Sequence, residues 1–215
     1  MAGKQTSPTI KMLFIGNSFT QRNDLPELIA AMAAERGLRI EPVLISAGGA
    51  SLRSHWNAGR AAAAISTCGY DYVVLQEQST LPVKNAARMA ENIRLFDEVI
   101  RDAGAKTVLY MTWARQHARE TQQAITDAYT AIGKELDAMV IPVGNVWQRF
   151  LAKHDHPVLH DRDQSHPTPA GSYLAACVFL ATLFKMNPVG IDAGPETLAD
   201  SDRATLQQFA WTQHG

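Results

Sequence analysis

The chain has 215 residues, 46% of them hydrophobic, and its 20 Lys and Arg against 21 Asp and Glu leave a formal net charge of -1. That length can bury one sizeable core and predicts a single domain over residues 1–215. Near-neutral charge and the lack of a basic run interleaved with aromatics argue against nucleic acid as a partner, and no apolar run is long enough for a bilayer span, so no membrane partner is expected.

Met1 to Thr9 are polar and lack the apolar core of a signal peptide. They are expected to form a disordered tail, and the protein to be cytoplasmic. Met12-Leu13-Phe14-Ile15 then runs without alternation into Gly16-Asn17-Ser18. A continuous apolar run closed by a turn reads as a strand buried on both faces. In open α/β sheets, sites form just outside the carboxyl ends of the strands, and Ser18 stands there. The alternative is that Asn17 and Ser18 only shape a turn. Phe19 to Asp24 reads as a loop. Asn23 or Asp24 then caps a helix that has Pro26 and Glu27 in its first turn and stops at Gly37.

Leu38 to Ile45 reads as a second strand, at an edge because Pro42 cannot donate to a ladder. The loop through Gly48 and Gly49 leads to an alanine-rich helix, Leu52 to Ser66, in which His55 and Trp56 are expected to pack. Tyr70 to Leu75 is a third strand, ending in Gln76-Glu77-Gln78-Ser79, and a long helix covers Val83 to Ala103. Lys106 to Thr112 is a fourth strand, ending in Trp113-Ala114-Arg115, and is followed by a helix over Glu120 to Leu136. A short fifth strand, Ala138 to Val143, and a short helix, Gly144 to Lys153, precede a loop dense in histidine and aspartate, His154 to His166. An apolar helix, Ala170 to Phe184, and a last helix between Pro195 and Phe209 complete the chain. Cys68 and Cys177 lie among small or apolar residues and are expected to be buried thiols.

Strands that alternate with helices make βαβ units, a parallel sheet and right-handed crossovers. The expected fold class is α/β: a three-layer α/β/α sandwich with a flavodoxin-like, five-stranded parallel sheet. Its topology gathers the strand ends, and the polar residues on them, at one rim.

The second chemical stretch is Asp161-Arg162-Asp163-Gln164-Ser165-His166-Pro167. A serine nucleophile needs a base, and a histidine base needs an acceptor on its other ring nitrogen. Asp163 and His166 are three apart, a spacing that a helical turn would bring to one face. Asp161 is the competing orienting group. Ser18, His166 and Asp163 are therefore the candidate nucleophile, base and orienter. Acyl transfer also needs donors aimed at the oxyanion; the candidates are Ser18 N–H, Gly49 N–H and the Gln78 side-chain amide. Trp113 and Arg115 either line the pocket, to stack on a sugar and meet a carboxylate, or are a core residue and a surface charge.

Two other classes compete. His154, His156, His160, Asp161, Asp163 and His166 form a ligand-rich loop of the kind a metal-dependent hydrolase could use. Their spacing matches no strong zinc pattern, so no metal or other cofactor is expected. A non-catalytic, flavodoxin-like binding module would place a phosphate or flavin on Gly16 to Thr20, but that loop has one glycine and no P-loop lysine.

The blocks Gly16-Asn17-Ser18-Phe19-Thr20, Gly48-Gly49-Ala50-Ser51-Leu52 and Asp163-Gln164-Ser165-His166-Pro167, in this order, resemble those of the SGNH hydrolases, the GDSL-type esterases and lipases. Asn17 stands where that family usually has Asp, and Gln76-Glu77-Gln78-Ser79 stands where it has Gly-x-Asn-Asp. Gln78, or else Gln76, would replace the family asparagine. The resemblance implies a serine esterase with a Ser-His-Asp triad and an acyl-enzyme. Its substrate would be a small ester, often an acetyl ester, of a carbohydrate or related alcohol. Asn17, Gln76, Trp113 and Arg115 are the further residues expected at the substrate.

Overall fold

The structure is a computed structural model and describes residues 9–213. The expected N-terminal tail lies outside these residues except for Thr9. In chain order the elements are β1 (Ile10–Gly16), α1 (Ser18–Gln21), a 3-10 turn (Arg22–Asp24), α2 (Leu25–Ala34), β2 (Ile40–Ser46), α3 (Leu52–Ala58) and α4 (Arg60–Cys68). They continue with β3 (Tyr72–Leu75), α5 (Leu81–Lys84), α6 (Ala86–Asp102), β4 (Lys106–Tyr110), a second 3-10 turn (Gln116–Thr121) and α7 (Gln122–Glu135). β5 (Met139–Ile141), α8 (Val143–Leu151), α9 (Pro169–Leu183) and α10 (Asp200–Gln213) follow.

The sheet has five strands in the order β2-β1-β3-β4-β5, every pairing parallel. Helices on both faces make it a three-layer α/β/α sandwich. β1 lies inside the sheet, and its uniformly apolar run serves two cores at once, because alternate side chains leave opposite faces. Phe14, with Val74, Val108 and Tyr110, packs on one face against Ile29 and Met32 of α2 and Phe179 of α9. Leu13 and Ile15, with Val73, Leu75 and Leu109, pack on the other against Ile93 and Phe96 of α6 and Ile125 and Tyr129 of α7. Pro42 is on the edge strand β2, where a missing N–H costs no ladder bond. No helix among the described residues is long and apolar enough to cross a membrane.

Several elements differ from the sequence expectation, each for a local reason. The segment after Ser18 is helical rather than a loop, because the Asn17 side chain caps it by accepting the Phe19 N–H. Asn23 and Asp24 both adopt a left-handed backbone, and Asp24 precedes α2 without a side-chain capping bond. The helix expected over Leu52 to Ser66 is two helices that meet at Gly59. That expected over Val83 to Ala103 is also two, because the Asn85 side chain accepts the Arg88 N–H and starts a new one. The last helix lies farther along the chain, at Asp200–Gln213. Cys177 is buried in α9, but Cys68 is exposed at the end of α4, where the neighbouring small residues cover little.

Candidate active site

The nucleophile turn is built on Gly16. A Cβ there would lie 2.6 Å from both Gln76 Oε1 and Thr20 Oγ1, so only glycine lets these groups close over the strand end. Gln76 Oε1 accepts from Asn17 N–H at 2.9 Å and from Thr20 Oγ1 at 3.0 Å. The carbonyl of Gly16 accepts from His55 Nε2 at 2.7 Å, so that ring carries its hydrogen on Nε2. Asn17 is spent on the backbone: Oδ1 caps α1, and Nδ2 donates to Ala50 O at 3.0 Å, which ties this turn to the glycine loop. Ser18 is the first residue of α1, and its N–H is one that a helix start leaves without an intrahelical partner.

The loop that carries His166 is a tight turn, not the helical turn the spacing suggested. Asp161 O accepts from Gln164 N–H at 2.8 Å, His166 O accepts from Asp161 N–H at 2.8 Å, and Gln164 is left-handed. His160 and Pro167 form an antiparallel bridge at its base. Asp163 Oδ1 accepts from the N–H groups of Ser165 at 3.0 Å and His166 at 2.9 Å, which turns its carboxylate back on the histidine. Asp163 Oδ2 then takes the hydrogen bond of His166 Nδ1. With that hydrogen on Nδ1, His166 Nε2 is bare and accepts from Ser18 Oγ at 2.8 Å.

Residues 148 positions apart in the chain thus meet in one hydrogen-bonded relay from hydroxyl to imidazole to carboxylate. Partial burial pushes the Asp163 carboxyl up. The bond from the His166 ring and the two backbone N–H groups outweigh this and hold it well below the usual carboxylate range. Asp161, the competing orienter, turns the other way. It pairs with Arg22 at 2.6 Å, and the backbone N–H of Arg162 with the Arg22 guanidinium lowers its carboxyl.

Both loops are clamped together. Asn23 Nδ2 donates to Ser172 Oγ at 2.8 Å, fastening the α1–α2 junction to the start of α9, just beyond His166. Phe19 lies between Trp113 and His166, with ring centroids 5.0 and 5.3 Å away. Trp113 is a core residue, 1% exposed and stacked on Trp147, and its indole N–H donates to Ser165 O at 3.0 Å. It is a buttress under the histidine loop rather than a sugar platform. Arg115 is exposed and lines a cavity of about 140 Å³ with Ser79, Thr80, Val83 and Lys84.

The two glutamines after β3 have separate fates. Gln76 is 1% exposed and fully used beneath the nucleophile turn, so it does not face a substrate. Asn17, 2% exposed, is withdrawn for the same reason. Gln78 is half-buried, and its Oε1 accepts from both the N–H and the hydroxyl of Thr80, each at 2.9 Å. Two donors on one atom identify it as the oxygen, which leaves the Gln78 Nε2 hydrogens available. Gly49 is exposed in a left-handed turn, φ +66°, that an L side chain rarely adopts. Gln76 and His55 brace the nucleophile turn and were not legible as braces, because each acts on a segment distant in sequence.

The histidines of the His154–His166 loop do not converge. His154 stacks on Phe150, His156 pairs with Asp202 at 3.0 Å, and His160 bonds Ala114 O at 3.1 Å. Among the described residues no group of three His, Cys, Asp or Glu side chains is arranged to hold a metal ion.

The hydrogen-bonded relay thus lies at the carboxyl rim of the sheet in a three-layer α/β/α sandwich. No family model and no curated protein matches the chain. Among solved structures, a Slackia heliotrinireducens protein assigned to the SGNH hydrolases superposes with a TM-score of 0.71 at 26% identity, over 82% of this chain and 100% of that one. A DUF4886 family protein from Bacteroides uniformis gives 0.73 at 21% identity, over 95% and 94%. An acetyl xylan esterase, AlAXEase, gives 0.62 at 16% identity, over 80% and 98%. The chain belongs to the SGNH hydrolase superfamily.

Proposed function

We propose that the protein is a serine esterase that cleaves small acyl esters through Ser18, His166 and Asp163. The observation that carries this reading is the 2.8 Å contact from Ser18 Oγ to a His166 ring whose other nitrogen is held by Asp163. His166 Nε2 takes the hydroxyl proton as Ser18 Oγ bonds to the ester carbonyl carbon. Asp163 steadies the imidazolium so formed. The tetrahedral oxyanion is met by Ser18 N–H, Gly49 N–H and Gln78 Nε2. As the intermediate collapses, the bond to the alcohol oxygen breaks and His166 returns its proton to that oxygen. Water, deprotonated by the same ring, then attacks the acyl-enzyme. The acid is released and Ser18 recovers its proton.

Support for a short acyl group, acetyl above all, and for a carbohydrate-like alcohol comes from neighbours named as an acetyl xylan esterase and an acetyl-xylooligosaccharide esterase. Hydrolysis of an aryl ester ladder from acetate to octanoate tests the reading. Turnover should be greatest on acetate. Ser18→Ala should abolish it, by a factor of at least about 10³, with the circular dichroism spectrum and melting unchanged. A folded Ser18→Ala protein with wild-type turnover would leave Ser18 without a role.

A further inference from the structure

A second carboxylate lies behind this site and shares no hydrogen bond with Ser18, His166 or Asp163. Glu77 is 0% exposed and is the second residue after β3. Burial pushes its carboxyl up, while the hydrogen bonds from Asn92, Gln78 and Leu52 and the nearby His55 oppose that shift. A buried carboxylate is expensive unless its oxygens are met by donors. Here Oε1 accepts from Gln78 N–H at 2.7 Å and from Leu52 N–H at 3.0 Å, and Oε2 accepts from Asn92 Nδ2 at 2.8 Å. Asn92 is oriented in turn by Arg53 Nε, which donates to its Oδ1 at 2.9 Å.

The partners of Oε1 are the telling feature. Gln78 bears the amide assigned above to the oxyanion. Leu52 opens α3, three residues after Gly49 and one beyond the α3 cap Ser51. One buried oxygen therefore joins the backbone of Gln78 to that of Leu52, just beyond Gly49, although the two are 26 positions apart in the chain. An apolar side chain could fill the same space without a buried charge, but it could not hold two N–H groups on one point.

We propose that Glu77 is the positioning residue of the oxyanion hole and fixes the Gly49 turn and Gln78 at the separation a tetrahedral oxyanion needs. This rests on the Ser18 reading of the site. A group that sets donors used only in the transition state affects kcat and leaves substrate binding nearly alone.

The test compares kcat and KM for p-nitrophenyl acetate in the full chain. Glu77→Ala should lower kcat about 100-fold, the range for losing an oxyanion donor, with KM within about threefold. Glu77→Gln keeps an acceptor for Leu52 and Gln78 but turns an amide on Asn92, so kcat should fall about tenfold. Adding Asn92→Asp restores an acceptor there and keeps the partner of Arg53, so the double variant should recover to within about threefold of wild type. The pair serves where Glu77→Ala fails to fold. Wild-type kcat in Glu77→Gln, a KM effect in place of a kcat effect, or no recovery in the double variant overturns the proposal. If Ser18→Ala is inactive while Glu77 variants match wild type, only the role of Glu77 falls. If Ser18→Ala stays active, the esterase reading falls first.

Discussion

The two oxygens of Asp163 divide the work of the histidine turn. Oδ1 accepts the backbone N–H groups of Ser165 and His166, and Oδ2 holds the ring. An amide in its place keeps the turn only if its oxygen stays on the backbone. Its NH₂ group then faces His166 Nδ1, and the ring must carry its hydrogen on Nε2, toward Ser18. Asp163→Asn should therefore fold but lose about 10³- to 10⁴-fold in kcat, with KM little changed; steady-state kinetics on an aryl acetate checks this. Retention of more than a tenth of the activity would show that the ring orientation does not depend on the carboxylate. Ser18, Asp163 and His166 were legible because their types and local spacing carry chemical meaning. Gln76 and Glu77 were not, since their partners lie 59 and 25 positions away, at Asn17 and Leu52. In sequence Trp113 fits core and pocket equally, and its burial and its stack on Trp147 decide for the core.

At the level of elements, the His154–His166 loop is the least regular part of the site, and a buried imidazole holds its base. His160 is 4% exposed, rests edge-on against Trp147 at 5.0 Å and donates from Nε2 to Ala114 O. Burial pushes it below its ordinary value, Arg119 adds to this, and the bond to Ala114 and the charge of Asp163 oppose it. The fold therefore favours the neutral ring. Its contribution is complete above the unfolded histidine value of about 6.5 and drains away as the pH falls from there through the folded value. Asp163, a depressed carboxyl, acts in the same sense only below about pH 4. Melting curves of wild type and His160→Gln between pH 7 and 5 isolate His160 as their difference, the raised Glu77 carboxyl being common to both. His160→Gln, which keeps a donor toward Ala114, should lower stability at pH 7 and flatten the fall in Tm toward pH 5. Parallel slopes for the two proteins would remove His160 as the cause. The strands and most helices were legible from apolar runs and caps. The breaks at Gly59 and Asn85 were not, because an alanine-rich or amphipathic run continues across each of them in sequence.

Across the whole molecule, the site depends on a scaffold that can be weakened without touching it. α9 is buried from Ala170 to Leu183, and a helix apolar on every side must be covered on every side. The sheet, α2 and α8 cover part of it, and α10 covers a further side with Leu206, Phe209 and Ala210. Gln207 is the polar residue in that closure, 3% exposed. Its Nε2 donates to Tyr173 Oη at 2.6 Å and to Ile191 O at 2.7 Å, and its Oε1 accepts from Gly190 N–H at 2.9 Å. One side chain thereby pins α10 to α9 and to the segment that joins them. Gln207→Ala removes all three bonds and leaves the buried Tyr173 Oη and Ile191 O without this donor, at a cost of about 2–3 kcal/mol. For a chain of this size that lowers Tm by roughly 5–10 °C. Gln207 shares no hydrogen bond with Ser18, His166 or Asp163, so below the transition kcat should stay within about twofold of wild type. Calorimetry and kinetics on the same preparation separate the two effects. A loss of kcat at a temperature where the variant is fully folded would mean that α10 and the candidate active site are coupled through α9, and that the base of the histidine turn moves with the far end of the helix that follows it.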